Sequence, residues 1–251
     1  MSAHLTLPNR TQKPRTDGLT SILDNGLPAA LLEAYIKSSA GYIDYVKFGW
    51  GTALVSIDIQ EKIRCCEENQ IGFYLGGTLF EKYYHENKLD CFVNLCKSLG
   101  CQTVEVSNGT IPLGNSDKAK CIHDLSQEFK VFSEVGYKDN RKSIHLPPSK
   151  WIEYILQDID AGSEKVITEA RESGNSGICR DNGELRFGLI EDIITHVPTE
   201  KLIFEAPNKK LQTFFIRKVG ANVNLANISF DELVSVETLR LGLRSETLLD
   251  M

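Results

Sequence analysis

Eight short runs of apolar and β-branched residues recur along the chain, and most are followed by a segment whose apolar positions repeat at helical spacing. The runs are 19–23 (LTSIL), 43–48 (IDYVKF), 71–75 (IGFYL), 102–106 (QTVEV), 130–135 (KVFSEV), 164–169 (EKVITE), 201–205 (KLIFE) and 222–225 (NVNL). Short runs alternating with helical patterns read as parallel strands joined by crossover helices. The helical period is plain in Leu89, Phe92, Val93, Cys96 and Leu99, in Ile152, Ile155, Leu156 and Ile159, and in Leu211, Phe214, Phe215 and Val219. It is sparser over 58–70 and 117–129. Pro28 suits a first helical turn, Ser149 suits the cap of the helix carrying Trp151, and Ser229 precedes Asp231 and Glu232 at another helix start.

Eight such units in 251 residues match a single-domain (β/α)8 TIM barrel, whose right-handed crossovers put every βα loop on one face. An open doubly wound sheet is the alternative. It calls for a glycine-rich turn after the first strand, where this chain has only Asp24-Asn25-Gly26. Gly49-Trp50-Gly51 follows the second run but has Leu54 where a third glycine would stand, which rules it out as a nucleotide fingerprint. The barrel is assigned to 15–251, preceded by a polar, flexible N-terminal arm over 1–14.

Composition narrows the function classes. No apolar run approaches the roughly 20 residues that span a bilayer, and the first residues lack the apolar core of a signal peptide. No membrane partner and a cytoplasmic location are therefore expected. A net charge of -6 without a dense Lys/Arg tract argues against nucleic acid. The seven cysteines form no Cys-x-x-Cys pair and read as small buried hydrophobes in a reducing compartment. The five histidines, His4, His85, His123, His145 and His196, show no metal-binding spacing, and only His145 falls in an expected rim loop.

On a barrel the chemistry sits at the carboxyl ends of the strands. Four carboxylates stand there: Glu105, Glu134, Glu169 and Glu205. Like charges in one mouth repel unless something positive lies between them, so a divalent metal, basic side chains or both are expected. The same rim offers Asp24, Lys47, Lys138, Arg171, Glu172, Asn224 and Asn227. Carboxylates mixed with fixed cations suit Mg2+ beside an anionic substrate; a ring of salt bridges closing the barrel top is the competing reading. Gly76-Gly77-Thr78 and Gly49-Trp50-Gly51-Thr52 can present backbone N–H groups to oxyanions. Lys209, opening the helix after the seventh strand, stands where barrels often bind phosphate. The stretch from Glu172 to Phe187, with Gly174, Gly177 and Gly183, is the lid candidate.

The segments RTDGLTSILDNG, YVKFGWGT, GGTLFE, VEVSNGTI, SEVGYKD, EARESG, IFEAP, VNLANI and VETLRLGLR, in order from Arg15, resemble the phosphosulfolactate synthase family. The resemblance implies a (β/α)8 enzyme that adds sulfite to phosphoenolpyruvate with Mg2+, giving (2R)-3-sulfolactate 2-phosphate. Related sequences include plant heat-stress proteins. Ala226 stands in VNLANI where the family pattern has glycine, and its methyl is expected to crowd a phosphate at that turn.

That chemistry assigns roles to the rim. Attack at C3 drives electrons toward the carboxylate, and an acid must then protonate C2. Lys138 is assigned as proton donor, on the expectation that it titrates nearer neutrality than an ordinary lysine, and Lys47 as the stabilising cation. Substrate binding is assigned to Arg171, Lys209, Gly76, Gly77, Thr78 and Asn224. Glu105, Glu134 and Glu169 are the metal-ligand candidates, with Glu205 as a further ligand or an orienter of Lys47 or Arg171. A Schiff-base lyase or aldolase using Lys47 or Lys138, and a non-catalytic protein keeping the fold, are the alternatives. A homo-oligomer packed through the outer helices is expected.

Overall fold

A computed structural model describes residues 5–249; His4, the first residues of the expected arm and the last two residues lie outside them. The strands are β1 (Thr20–Asp24), β2 (Tyr45–Phe48), β3 (Gly72–Leu75), β4 (Thr103–Val106), β5 (Lys130–Val135), β6 (Lys165–Thr168), β7 (Leu202–Glu205) and β8 (Leu225–Ile228). The pairs are parallel, in the order β3-β2-β1-β8-β7-β6-β5-β4, so the sheet curls into a (β/α)8 barrel. Its two ends, β3 and β4, face each other across a seam. Side chains bridge that seam: Gly77 N–H donates to Glu105 Oε1 (2.6 Å), and Ser107 Oγ–H to Glu81 Oε1 (2.6 Å).

Strand residues alternate between two environments. Val46 and Phe48, Val104 and Val106, and Val131 and Val135 point outward into the layer shared with the helices. Tyr74, Phe132, Ile167, Ile203 and Ala226 point inward and form an apolar floor, with Tyr45 packed against it. The outer layer is the larger core, where Trp151, Phe92 and Phe215 are fully covered. Among the described residues no helix is long and apolar enough to cross a membrane, and all seven cysteines are free.

Three local expectations are corrected, and one helix is added. The eighth strand lies at Leu225–Ile228, three residues beyond the expected 222–225. Asn224, between Val223 and Leu225, imitates strand alternation but works at the opposite end of the barrel. Its Oδ1 accepts from Leu19 N–H (3.0 Å) and its amide donates to Leu202 O (2.9 Å). The flexible arm does not extend over Arg10 to Pro14. Arg10 forms a buried ion pair with Glu237 (2.9 Å), Lys13 donates to Ile43 O (2.6 Å), and the adjoining Arg15 pairs with Asp44 (2.9 Å). Ser149 lies inside the helix Pro148–Asp160, whose N-cap is Pro147, and does not cap it. Gly77–His85 forms a helix of its own before Leu89–Leu99, one that the helical pattern of the sequence did not mark.

Candidate active site

The two-residue period that lays the floor also builds the site one step above it. Lys47 follows Tyr45, Glu134 follows Phe132, Glu169 follows Ile167 and Glu205 follows Ile203, each on the same inward face. With Glu105 and Lys138 they line a cleft of about 170 Å³ at the carboxyl end of the strands. Gly76, Gly77, Thr78 and Arg171 complete much of its wall.

One ammonium sits among three carboxylates. Lys47 Nζ lies 2.9 Å from Glu105 Oε2, 3.6 Å from Glu205 Oε1 and 3.8 Å from Glu134 Oε2, all buried. Burial alone lowers the lysine pKa, but Glu105, Glu205 and Glu134 together raise it well above the ordinary value. Lys138 Nζ donates to Thr78 Oγ1 (2.9 Å) and lies 3.8 Å from Glu134 Oε1. Burial pulls Lys138 down and Glu134 and Glu169 push it up, with a net rise. The expectation that Lys138 titrates near neutrality is thus reversed: it is a firmly protonated ammonium.

The carboxylates divide. Burial raises Glu105 to about 7 against the pull of Lys47, and burial with neighbouring Glu134 and Glu205 raises Glu169 well above the carboxylate range. Glu134 resists the same burial and falls below its ordinary value, because Lys138 and Lys47 stabilise its charge. Glu105 is further tied by Gly77 N–H, and Glu205 Oε2 accepts from Ala170 N–H (2.8 Å). Glu169 Oε1 accepts from Arg171 N–H (2.6 Å), while its Oε2 and Glu134 Oε1 are buried without a hydrogen-bond partner.

Two glycines make the packing possible. A Cβ on Gly77 would come within 2.4 Å of Ser107 Oγ and 2.7 Å of Glu105 Oε1. Gly136, at φ +129°, leaves room for Glu169 Cβ and the Trp151 ring, which a Cβ there would meet at 2.6 and 2.7 Å.

The donor set suits a hard divalent cation only in part. Among the described residues no group of three or more His, Cys, Asp or Glu side chains is arranged to hold a metal ion. The four-carboxylate set expected from the sequence is therefore not a ready-made metal cage, because Lys47 already lies among Glu105, Glu134 and Glu205. Glu134 and Glu169, whose buried carboxyls face each other and leave Glu134 Oε1 and Glu169 Oε2 without an N–H or hydroxyl donor, fit Mg2+, which commonly takes one or two carboxylates and completes its shell with substrate and water.

Several expected residues stand elsewhere. Lys209 pairs with Glu246 on the outer surface and does not reach the cleft. Asn224 is at the amino end of the barrel, as described above. The methyl of Ala226 packs into the barrel floor with Tyr74 and Phe132, so it crowds no phosphate. His145 ends the short helix Asn140–His145 and lies beside a separate surface depression with Leu113 and Leu146. Of the lid candidate, Glu172 borders the cleft, as does the preceding Arg171. Part of the rest is pinned: Ser176–Cys179 is buried, and Arg186 donates to Ser143 O, Gly177 O and Leu146 O, while 180–182 is exposed.

Among the buried charges that sequence reasoning missed are Glu81, Lys118 and Asp158. Glu81 accepts from Ser107 Oγ–H and from the N–H groups of Gly109 (3.1 Å), Thr110 (2.9 Å) and Ile111 (3.0 Å), shaping the loop after β4. Lys118 pairs with Asp158 (2.6 Å) and donates to Glu134 O (2.9 Å), both residues fully buried behind β5. The available signal was a lysine in line with Ile122 and Leu125 on an otherwise apolar helix face.

The family model described as (2R)-phospho-3-sulfolactate synthase (ComA) matches residues 8–246. The phosphosulfolactate synthase of Bacillus subtilis (strain 168) is 51% identical over 97% of this chain and 97% of its own length. The phosphosulfolactate synthase of Methanocaldococcus jannaschii is 43% identical over 92% of this chain and 93% of its own. Among solved structures, 3-hexulose-6-phosphate synthase from Salmonella typhimurium superposes with a TM-score of 0.56 at 10% identity, covering 88% of this chain and 97% of that one, which shows the shared fold alone.

Proposed function

The chain belongs to the (2R)-phospho-3-sulfolactate synthase family of enzymes, and from that premise we propose that its cleft joins sulfite to C3 of phosphoenolpyruvate. The observation that carries this reading is the meeting of Lys47, Lys138 and Arg171 with buried carboxylates in one small cavity at the strand ends. Such a site receives a compact polyanion and holds cations ready for charge that develops during reaction.

The sulfur lone pair forms the new C–S bond at C3, and the π electrons of the C2–C3 double bond move onto C2 and the carboxylate. Lys138 delivers a proton to C2; no group leaves, and Lys138 is reprotonated from solvent. The raised proton affinity of Lys138 makes it a weaker acid than an ordinary ammonium but keeps it protonated until the step, and an enolate carbon is basic enough to take that proton. Lys47, fixed by its three carboxylates, holds positive charge near the substrate without becoming a nucleophile. Arg171 offers a planar fork to a phosphate or carboxylate. Mg2+ held by Glu134 and Glu169 would supply further positive charge to substrate oxygens as the negative charge builds.

The Schiff-base alternative requires a neutral lysine amine, and both cleft lysines are driven the other way. Borohydride with a keto acid should therefore leave no adduct on either. The deciding experiment is turnover with phosphoenolpyruvate, sulfite and Mg2+, followed by product identification. Sulfite-dependent consumption of phosphoenolpyruvate is expected; its absence in folded protein refutes the reading and favours a non-catalytic role.

A further inference from the structure

The β1–β8 junction contains an extra residue. Thr20 pairs with Leu225 and Ile22 with Ile228, so three steps along β8 oppose two along β1. The surplus is a β-bulge, and the left-handed φ of +57° at Asn227 marks its position. Ala226 on one side packs into the barrel floor and Ile228 on the other into the outer core. Asn227 between them lines the cleft.

The Asn227 side chain is costly where it stands. The residue is 8% exposed, its Oδ1 is buried without a partner, and the carboxamide makes no hydrogen bond to any described residue. A buried amide is ordinarily satisfied, so a partner supplied by whatever fills the cleft accounts for it. The ends of β7 and β8 are where barrels commonly seat phosphate, and Lys209 and Lys210, the basic residues that the sequence offers there, are engaged by Glu246 and by Gly183 O. A half-turn of the amide presents N–H or oxygen equally well, and an oxyanion selects the N–H.

We propose that Asn227 is a substrate-contact residue, placed in the cleft by the bulge in β8, whose amide N–H donates to a phosphate oxygen of bound phosphoenolpyruvate. The assignment rests on the functional reading above. Its rival is that asparagine is present only because it tolerates left-handed backbone better than most residues.

Asn227→Gly separates the two, since glycine adopts this φ without steric cost. In the full-length protein with Mg2+, calorimetric titration should show phosphoenolpyruvate binding weakened about tenfold or more, at an equal or higher Tm. Asn227→Asp, which opposes a carboxylate to the phosphate, should weaken it further, and KM for phosphoenolpyruvate should rise more than kcat falls. Inorganic phosphate, competing with phosphoenolpyruvate, should lose affinity in the same ratio. Wild-type affinity in both variants, or an unchanged phosphate inhibition constant, overturns the assignment while leaving the function standing. A fall in affinity accompanied by a fall in Tm in Asn227→Gly assigns the residue to the fold and also overturns it. Failure of the wild-type protein to bind phosphoenolpyruvate or consume it with sulfite overturns the functional reading, and this assignment with it.

Discussion

Lys47 Nζ lies 2.9 Å from Glu105 Oε2, and both groups are almost completely withdrawn from water. Removing one member of such a pair leaves the other buried without its counter-charge, which typically costs about 3–5 kcal/mol. Lys47→Ala should lower stability on that scale and abolish most turnover. Lys47→Ala with Glu105→Gln should recover part of the stability but not the turnover, as denaturant unfolding and steady-state kinetics would show. Restored turnover in the double variant would remove Lys47 from the chemistry.

Proton donation separates Lys138 from the groups that only bind. Lys138→Ala should lower kcat by on the order of 10²–10⁴, with a smaller change in KM for phosphoenolpyruvate. Kinetics with phosphoenolpyruvate and sulfite varied separately would show it. A rise in KM at near-normal kcat would reassign Lys138 to phosphate binding.

Metal dependence should run through Glu134 and Glu169. Activity should vanish with excess chelator and return with Mg2+, and Glu134→Gln should lose the Mg2+ response while circular dichroism stays native. Full sulfite addition by metal-free protein would contradict this, as would an unchanged Mg2+ requirement in the variant.

Stability should depend on pH through the buried acids. Glu105 is raised to about 7 by burial, so its favourable contribution is complete below about pH 4.5, its ordinary value, and is lost as pH rises through 7. Glu169 is shifted in the same direction, whereas the raised Lys47 and Lys138 and the lowered Glu134 hold their charge across this window. In metal-free protein Tm should therefore decline between pH 5 and pH 8, and Glu105→Gln, which stays neutral, should flatten part of the decline. Added Mg2+ should raise Tm more at pH 8 than at pH 5.5, because it binds ionised carboxylates. A flat profile in the wild type would show that Glu105 is already ionised at low pH.

The pair Lys118–Asp158 supports the site from behind β5. Lys118→Met should destabilise by about 3–5 kcal/mol, and the double variant Lys118→Met, Asp158→Leu by much less, since both charges then disappear together. Loss of the bond to Glu134 O should also weaken Mg2+ activation in the double variant, even though its stability is largely recovered. Wild-type Mg2+ activation there would confine the pair to stability.

The barrel was legible in the sequence because its cause is local. Period-two runs such as Lys130–Val135 and helical stripes such as that of Leu89–Leu99 report which faces each segment must bury, and eight repeats leave few ways to bury them all. Glu134, Glu169 and Glu205 were legible for the same reason: a charge two residues beyond an inward apolar side chain must emerge just above the barrel floor, and Glu105 takes the same step beyond Thr103. Tertiary structure alone decided which charges meet. Nothing in the neighbourhood of Lys47 shows that Glu105 and Glu205, from strands far apart in sequence, will enclose it, and Lys209 looks locally as suitable as Lys138 until the helix carrying it turns toward Glu246. Asn224 and Asn227 are three residues apart and chemically identical, yet one secures the amino end of the barrel and the other lines the cleft. What separates them is a register fixed by pairing with β1, and register is a property of two strands, not of one.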